Sequence, residues 1–590
     1  MTFYKTIMND ILHSFAVGYD CLSASADLLD RINVFPVADG DTGTNLRISL
    51  APFRNPGQDS GAMRLLLARC ATGNSGNIAA AFFREFCQAQ SMADLPEAAA
   101  SGRKKAWQAI ARPCAGTMLT VFDSLVSTLA SHETLSLSTV YSPLSLELQK
   151  AVGETTRRLP ILSEAGVVDS GALAMYVFFD GFFRNLTQHR NSAVSIFDLF
   201  AGKLAISHAF QPETSSSYCV DAVIQLPEGQ AAAPGEQDER AKMIDDLAGL
   251  GESVVVVEND SSLKIHIHTP DPDRLRGQLD SFGNVVRWSD EAMNRTLRPL
   301  SAAAAKPPLH IVTDAAGSIT REMARLSGLT LLDSYIIAGD ESRPESLCNS
   351  EEIYRMMREG GKVTTAQAST FERYQHYQNI SRQFGPSLYL CVGAAFTGNY
   401  DTALSWKMEH DIDDRFTVLD SGAASGKLAL IALLTGRYAE NADGGADIIA
   451  FAEKVIEECE EYVFIHELKY LVAGGRVSKA GGFFGDLLHM KPVITPTRNG
   501  VQKVGVVHST RQQLAFALEK LKKQYDSSAT PTVMLQYSDN QDWVAEVARQ
   551  QVRSLLPEAE ILLTPLSLTS GIHMGPGTWS MAFASPRSSQ

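Results

Sequence analysis

The spacing of hydrophobic positions separates the chain into a helical part and a mixed part. Up to about residue 199, apolar residues recur at helical spacing over long stretches, the clearest being 65–86, 117–129 and 173–183. Beyond residue 308, short apolar runs alternate with longer helical patterns, which is typical of βαβ units around a parallel sheet. We therefore expect an all-helical N-terminal domain and an α/β C-terminal half. The runs predicted to be strands include 309–313, 388–392, 416–419, 462–465 and 532–535.

A change of composition marks the middle of the chain. Residues 211–235 are rich in Pro, Glu, Gln and Ser, and two strand-like runs, 253–258 and 263–269, follow them. A small α/β unit fits this pattern, and the alanines and prolines of 301–308 indicate a linker. The predicted organisation is a helical domain at 1–199, a middle domain at 200–300, the linker at 301–308 and an α/β domain at 309–590.

Composition and charge narrow the classes of function. The 590 residues carry a formal net charge of -15 with scattered basic residues, so no nucleic-acid partner is expected. The longest apolar runs, such as 428–434, are far shorter than the ~20 residues of a membrane-spanning helix. Eight dispersed cysteines suit free thiols in a reducing compartment. Residues 1–12 are amphipathic rather than signal-like, and together these features predict a cytoplasmic protein.

The segment from Asn33 to Asn45 concentrates polar side chains in a loop that contains glycine. The carboxylates Asp39 and Asp41 stand on either side of Gly40. Magnesium prefers oxygen ligands, usually one or two carboxylates together with substrate phosphates, and glycine lets the backbone turn sharply. The loop is therefore a candidate site for Mg²⁺ and a nucleotide. The alternative is an Asp–Gly turn that caps the helix predicted to start near Asn45.

Three further polar loops with glycine stand directly before predicted helices, at 72–77, 116–118 and 166–172. A helix N-terminus offers free N–H groups and the positive end of the helix dipole, and both suit a phosphate. Each loop taken singly fits a helix cap better than a ligand site. Four such loops within one helical domain favour a common ligand.

These loops, in this order, resemble the DhaL-type nucleotide-binding domain of dihydroxyacetone kinases, in the variant found in bacterial fatty acid kinases of the FakA type. The resemblance covers about the first 195 residues. It implies an all-α helical barrel that binds ATP with two Mg²⁺ ions at its mouth. Asp39 and Asp41 would be catalytic metal ligands, with Asn33 as a third ligand. The residues implied to contact the nucleotide are Thr42, Gly43, Thr44, Asn45, Asn74, Ser75, Gly76, Thr117, Asp169 and Gly171.

Two histidines in the middle domain form a candidate metal site. Alternation along a strand sends His266 and His268 to the same face, where both imidazoles can reach one ion. Cys219 would complete a Cys–His–His set suited to zinc, although paired strand histidines are more often ordinary polar residues. The region resembles the middle domain of FakA-type kinases, which implies Zn²⁺ and dimer contacts.

Five polar loops of the C-terminal half stand where strands are expected to end. In an open α/β sheet, ligands bind at the carboxyl ends of the strands, so hydroxyls and amides of these loops could hold a carboxylate. The alternative is that each loop only caps its own helix. The loops are 313–318, 364–367, 396–400, 420–421 and 573–577.

Together with the segment 474–479, these loops resemble the DegV family of fatty-acid-binding proteins, over about residues 309–585. The resemblance implies a two-lobed α/β fold that encloses an acyl chain. The residues implied to lie near the carboxylate are Thr365, Thr397, Gly398, Arg476 and His573. The chain departs from the family at Ala366 and Gly393–Ala394, where Ser is usual, and at Ile572, where Thr is usual. Such losses would also suit a domain that docks a separate carrier.

The resemblances together predict ATP-dependent phosphorylation of a fatty acid to acyl phosphate for phospholipid synthesis. The expected partner is a fatty acid. The protein is expected to form a homodimer and to have no transmembrane segment. It would contact the membrane only transiently, for lipid exchange. One alternative is a kinase of a small polyol such as dihydroxyacetone. Another is a non-catalytic lipid-binding or regulatory protein whose helical half only senses a nucleotide.

Overall fold

The computed structural model describes residues 2–55, 57, 59–131, 140–189, 194–211, 217–226, 236–259, 262–293, 307–474, 490–526 and 530–585. Internal contacts divide the chain into two compact units, Met1–Ala302 and Ala303–Gln590, which we call unit 1 and unit 2. Each unit has its own hydrophobic core. Most of the expected linker, 301–306, lies outside the described residues.

Unit 1 begins with an all-helical domain, as the apolar spacing predicts. Its helices are α1 (Thr2–Arg31), α2 (Thr42–Leu50), α3 (Ser60–Cys70), α4 (Gly73–Phe86), α5 (Leu95–Ala109), α6 (Met118–Ala130), α7 (Tyr141–Arg158), α8 (Pro160–Ala165), α9 (Ser170–Leu186) and α10 (Ile196–Leu199). Short 3₁₀ turns occupy Ala51–Arg54 and Met92–Asp94. The apolar stretch 65–86 is divided between α3 and α4, because the backbone is extended at Thr72 and left-handed at Gly73, with φ of 64°.

Phenylalanine side chains form the centre of the helical domain. Phe15 of α1 stacks on Phe53 with ring centroids 4.7 Å apart, and Phe82 of α4 stacks on Phe122 of α6 at 4.1 Å. Close helix contact also requires glycine, since a Cβ at Gly18 of α1 would lie 2.8 Å from the carbonyl oxygen of Phe178 in α9. Among the described residues, no helix combines the length and the apolar content that a membrane crossing requires.

The middle domain is a four-stranded sheet with two helices, as expected for a small α/β unit. The elements are β1 (Tyr218–Gln225), α11 (Glu236–Ala248), β2 (Glu252–Asn259), β3 (Ser262–Thr269), α12 (Pro272–Phe282) and β4 (Asn284–Ala292). The strand order is β2-β3-β1-β4, with antiparallel pairing throughout. The edge strand β2 is hydrogen-bonded to the helical domain, because the N–H of Ala111 donates to the carbonyl of Val254 at 3.1 Å.

Unit 2 is an α/β fold built on two main sheets. Its strands are β5 (His310–Asp314), β6 (Thr330–Leu332), β7 (Tyr335–Ala338), β8 (Glu341–Pro344), β9 (Val363–Ala366), β10 (Ser387–Cys391), β11 (Phe416–Asp420), β12 (Glu460–Phe464), β13 (Lys491–Thr497), β14 (Gly500–Val507), β15 (Thr532–Tyr537), β16 (Glu560–Pro565) and β17 (Trp579–Ala584). Its helices are α13 (Arg321–Leu326), α14 (Ser350–Arg358), α15 (Thr370–Phe384), α16 (Asn399–His410), α17 (Ser425–Ala439), α18 (Gly445–Glu458), α19 (Leu468–Ala473), α20 (Thr510–Gln524), α21 (Gln541–Trp543), α22 (Arg549–Leu555) and α23 (Leu568–Met574), with 3₁₀ turns at Ala315–Gly317 and Glu345–Leu347 and a π-helical turn at Val544–Ala548.

Only one of the two main sheets is parallel. The order β11-β10-β5-β6 pairs in parallel, as βαβ units require. The second sheet, β14-β13-β12-β17-β15-β16, is antiparallel except for the β15–β16 pair, so the expectation of a parallel sheet is wrong for β12 and holds for β15 only on the side of β16. The reason is that β13 and β14 form a hairpin and that β17 inserts antiparallel between β12 and β15. A third sheet has the order β8-β7-β9.

The short helix α23 carries His573 and is held by a buried carboxylate. Glu345, which is 4% exposed, accepts hydrogen bonds from the N–H and the hydroxyl of Thr569 at 2.6 and 2.7 Å. Burial raises the pKa of Glu345 to about 7, although both hydrogen bonds oppose the shift. The carboxylate therefore anchors the first turn of α23 at the cost of an unfavourable ionisation.

Replacing Glu345 with Gln should change how stability depends on pH. Because its pKa is higher in the folded than in the unfolded chain, Glu345 contributes stability below pH 4.5 that is lost as the pH rises through about 7. We expect Glu345→Gln to gain stability relative to the wild type between pH 5 and 7, at up to about 1.4 kcal/mol per pH unit. Urea unfolding at several pH values measures this difference, with hydrogen exchange at 568–574 locating it. The exposed Glu352→Gln is the control, and parallel pH profiles for Glu345→Gln and the wild type would contradict the account.

Candidate functional site

Two partly buried carboxylates form the centre of the site in unit 1. Asp39 and Asp41 share a hydrogen bond, the side-chain amide of Asn33 donates to Asp39 Oδ1 at 2.5 Å, and the side chain of Asn45 bonds to Asp41. Burial raises the pKa of both carboxyl groups, and the charge of Asp39 raises that of Asp41 further. Two carboxylates that repel each other in this way have the oxygen ligands and the excess charge that suit a divalent cation.

Gly43 and Thr44 at the start of α2, two predicted nucleotide contacts, also have roles in packing. A Cβ at Gly43 would lie 2.1 Å from the carbonyl oxygen of Ala26, so α1 and α2 approach too closely for any larger residue. The N–H and the hydroxyl of Thr44 donate to the carboxylate of Asp30 at 3.0 and 2.7 Å. Gly43 and Thr44 thus serve the local fold, and their contact with a nucleotide stays a prediction.

The loop at the start of α4 lies directly beside this centre. The amide of Asn45 packs so closely on Gly73 that a Cβ there would meet its Nδ2 at 2.0 Å, and the Ser75 hydroxyl donates to the carbonyl of Thr42 at 3.5 Å. Gly76 faces Ser49, whose Oγ would be 2.0 Å from an added Cβ. The Asn74 Oδ1 atom is buried without a hydrogen-bond partner among the described residues. Such an orphaned acceptor fits a ligand that brings its own donors or cation.

The loops that precede α6 and α9 join the same region. The Ser170 hydroxyl donates to Asn33 Oδ1 at 3.2 Å, which ties the start of α9 to the carboxylate pair. Asp169 caps α9 by accepting from the N–H of Ala172 at 2.7 Å, and burial raises its pKa to about 7. At Gly171, a Cβ would lie 2.9 Å from the Met118 side chain, so α6 begins beside α9.

Thr117 caps α6 by accepting from the N–H of Leu119 at 3.4 Å, as the alternative explanation of these loops expects. A role of Thr117 or Asp169 toward a nucleotide stays a prediction. The four loops are nevertheless joined by side-chain contacts within one domain. The sequence predicts this grouping only through the count of glycine-containing loops.

Cys219, His266 and His268 come together on the face of the middle sheet. Cys219 of β1 is paired with His268 of β3, and the candidate ligand atoms of the three side chains lie within 4.8 Å of one another. The two histidines approach with their Nε2 atoms 3.2 Å apart. Burial, and then the neighbouring His266, lowers the pKa of His268 to about 3, which keeps this imidazole neutral as a metal ligand must be. The donor set fits zinc.

The middle-domain cluster lies within electrostatic reach of the carboxylate pair. Burial raises the pKa of the Cys219 thiol, and the charges of Asp221, Asp41 and Asp39 raise it further. The charge of His266 in turn favours the ionised form of Asp41. The helical domain and the middle sheet therefore face a shared space in unit 1, and a cation there would offset its negative charge.

Asp221 is a residue of this site that sequence reasoning missed. Its carboxylate lies 3.3 Å from His266 Nδ1, and it accepts from the N–H of Gly73 and from the Thr72 hydroxyl, both at 3.4 Å. Burial opposes its ionisation, but the charge of His266 and their hydrogen bond hold the pKa of Asp221 at about 2. A signal existed, because Cys219 and Asp221 stand two residues apart on one strand and therefore share a face.

In unit 2, three of the predicted head-group loops converge. The Thr365 hydroxyl is 3.2 Å from His573 Nε2. Gln367 follows directly after the strand that carries Thr365, and its side chain lies 3.8 Å from the place of a Cβ on Gly398. The Thr397 hydroxyl accepts from the N–H of Asn399 at 3.3 Å at the start of α16. Thr365, Thr397 and His573 are each half-buried, and their contact with a lipid head group stays a prediction.

Two of the departures from the DegV pattern, at Gly393 and Ile572, have structural reasons. A Cβ at Gly393 would lie 2.9 Å from the backbone of Gly422, so this backbone excludes a serine there. Ile572 is 6% exposed within an apolar cluster, where a hydroxyl would lack water. The N–H of Ala394 donates to Asp420 at 3.1 Å. Arg476 lies outside the described residues.

Comparison with family models identifies three domains along the chain. Residues 36–184 match the DAK2 domain, and residues 215–298 match the FakA-like middle domain of fatty acid kinases. Residues 308–585 match the DegV family of uncharacterised proteins. The DAK2 match contains the Asp39–Asp41 pair, and the second match contains the cysteine and both histidines.

Curated relatives share part of this organisation. The chain is 28% identical over 306 residues to an uncharacterised protein of Staphylococcus haemolyticus, covering 48% of this chain and 54% of the relative. It is 27% identical over 350 residues to Protein YloV of Bacillus subtilis, covering 53% of this chain and 62% of the relative. The chain thus spans between half and two thirds of the length of these relatives.

Solved structures of DegV-family proteins resemble part of the chain. A DegV-family protein from Thermus thermophilus, described as fatty acid binding, is 24% identical with a TM-score of 0.44, and the match covers 47% of this chain and 99% of that protein. DegV from Bacillus subtilis, described as a fatty acid binding protein, is 18% identical with the same TM-score, 0.44, and the same coverage, 47% and 99%. The three family matches by themselves support a fusion of a DAK2 domain, a FakA-like middle domain and a DegV-family domain.

Proposed function

We propose that the chain transfers the γ-phosphoryl group of ATP to a fatty acid held by the DegV-family domain, giving an acyl phosphate for phospholipid synthesis. The observation that carries the proposal is the meeting of two sets of residues in unit 1. The loops around Asp39 and Asp41 face the Cys219–His266–His268 cluster, and the match of the middle domain is to a kinase whose substrate is a fatty acid.

The carboxylate pair suits phosphoryl transfer. Mg²⁺, when bound by Asp39 and Asp41, would neutralise the charge on the transferred group and on ADP. Asn33 and Asn45 hold the two carboxylates in place through their side-chain amides. The N–H groups at the N-terminus of α4 would face the phosphates, and the orphaned Asn74 Oδ1 would face the cation that accompanies them. A fatty acid is already ionised at neutral pH, so its attack on phosphorus needs no general base.

The lipid would be held by unit 2. Thr365 and His573 already lie in hydrogen-bond distance of each other, and Thr397 and Gly398 border the same group of loops. A carboxylate would accept from the two hydroxyls and from a ring N–H of His573. Joining both domains in one chain, or in the predicted homodimer, raises the effective concentration of the carboxylate at the kinase site.

Loss of either central carboxylate should abolish turnover without releasing lipid. We expect Asp39→Ala and Asp41→Ala to reduce ATP-dependent acyl hydroxamate formation, measured with hydroxylamine as the trap, by roughly 100-fold or more, because charge neutralisation at the transferred group is lost. Mass spectrometry of extracted lipid should show unchanged fatty acid content.

The exposed Asp10→Ala, in α1 of the same domain, is the matched control and should keep wild-type turnover. Wild-type rates in either site variant would refute the metal assignment. Phosphorylation of dihydroxyacetone by the wild type, with no hydroxamate formed, would instead identify a polyol kinase.

The middle-domain cluster should hold one zinc ion per chain. Removing the thiol in Cys219→Ser should lower the zinc content of the purified protein to well under half, since a three-ligand site loses its softest ligand. Inductively coupled plasma mass spectrometry measures this content directly. The control is Cys114→Ser, which alters another half-buried free thiol of unit 1. Equal zinc in the Cys219 variant and the wild type would rule out the site.

The head-group loops should govern lipid capture alone. We expect His573→Ala and Thr397→Val to lower the amount of co-purified fatty acid several-fold while nucleotide affinity stays within about twofold, because neither residue belongs to unit 1. Lipid mass spectrometry and titration with a fluorescent ATP analogue provide the two readouts. The exposed His508→Ala serves as control. Unchanged lipid content in both site variants would favour a domain that docks a separate carrier.

A further inference from the structure

One carboxylate connects the two halves of the site in unit 1. Asp221 lies directly opposite His266 in the register of β1 and β3, with Oδ1 3.3 Å from His266 Nδ1. The other oxygen, Oδ2, accepts from the N–H of Gly73 and the hydroxyl of Thr72, both at 3.4 Å. A side chain of the middle sheet thus bonds both a candidate metal ligand and the first turn of α4.

The contact with His266 fixes the direction of that imidazole. When Nδ1–H donates to Asp221, Nε2 keeps its lone pair and faces His268, 3.2 Å away. A carboxylate in this position sets the tautomer and the ring orientation of a metal-binding histidine and increases its basicity. Asp221 is therefore placed to prepare the cluster for a cation.

The contacts of Asp221 with Thr72 and Gly73 hold the loop at the start of α4, which we call the nucleotide loop. The N–H of Thr72 also donates to the Ser49 hydroxyl at 3.0 Å, so the loop is held by α2 on one side and by β1 on the other. The ammonium group of Lys264 on β3 contacts the carbonyl of Ala71 and makes a second connection to the sheet. The negative charge of Asp221 stands beside the helix N-terminus at which a phosphate is expected.

We infer that Asp221 is a positioning residue that couples the Cys219–His266–His268 cluster to the nucleotide loop at the start of α4. A cation on the cluster draws the carboxylate toward His266 and offsets the charge that opposes a phosphate at Gly73. Zinc therefore tightens nucleotide binding, and by linkage a nucleotide tightens zinc binding by the same factor. The inference rests on the proposed function only in placing the nucleotide at α4.

The test is a comparison of nucleotide affinities in the full-length protein. The dissociation constant of Mg·ADP is measured by isothermal titration calorimetry. The first titration uses protein from which zinc has been removed with a chelator, and the second uses protein at saturating zinc. The ratio of the two constants reports the coupling, and we expect about fivefold or more in the wild type. In Asp221→Asn we expect the ratio to fall to half the wild-type value or less. The control Asp290→Asn, an exposed carboxylate on the neighbouring strand β4, keeps the wild-type ratio.

A wild-type ratio of one, or an Asp221→Asn ratio above half the wild-type value, overturns the inference. If Asp221→Asn does not fold by circular dichroism, Thr72→Val decides, since it removes one of the bonds to Asp221 from the other side. Thr72→Val should lower the ratio while keeping zinc affinity, and an unchanged ratio refutes the coupling. Because the titrations need no fatty acid, failure of acyl phosphate formation would refute the proposed function and leave this coupling standing.

Discussion

The repulsion between two neighbouring carboxylates is the constraint on which the site of unit 1 depends. Asp39 and Asp41 flank a single glycine, share a hydrogen bond and resist ionisation because they are partly buried. Asn33 and Asn45 bond to one carboxylate each, and Asp30 adds a further negative charge nearby. A fold that brings several carboxylates together at a partly buried place is stabilised when a divalent cation binds there. The proposed kinase reaction uses the same cation.

The glycines around this centre have a second explanation that does not involve a ligand. Gly43 allows α2 to touch α1, Gly76 allows α4 to touch α2, and Gly73 has a left-handed backbone that separates α3 from α4. Their packing role and a phosphate role are compatible, because close helix approach is what brings the loops together. The resulting backbone then exposes helix N-termini toward one place.

Much of this organisation is predictable from the sequence, and the failures have physical reasons. Helical spacing predicts α6 and α9, and short apolar runs predict β10 and β11, because these elements bury a regular face. The mostly antiparallel sheet around β12 is not predictable from such runs, since a buried strand has the same apolar pattern in either direction. Pairing across the sheet is also not visible along the chain. Alternation along β1 places Asp221 on the same face as Cys219, but its position opposite His266 follows only from the register of β1 and β3.

The same limit applies to unit 2. The loops with Thr365 and His573 could be named from the sequence as members of one site, yet their direct contact depends on α23, which Glu345 holds from a distant part of the chain. The substitutions at Gly393 and Ile572 looked like lost function in the sequence. In the fold, Gly393 is required by the close approach of a neighbouring backbone, and Ile572 packs in an apolar cluster. A reduced set of hydroxyls can still hold one carboxylate when the remaining donors are preorganised.

The central claim is that the carboxylate pair and the Cys219–His266–His268 cluster form one centre. Electron paramagnetic resonance tests it most directly, with Mn²⁺ in place of Mg²⁺ and Co²⁺ in place of zinc in the full-length protein with ADP. We predict that Co²⁺ broadens and weakens the Mn²⁺ signal strongly, and that Cys219→Ser removes this effect. A Mn²⁺ signal that is insensitive to bound Co²⁺ would show that the two sites are separate, and would contradict the account.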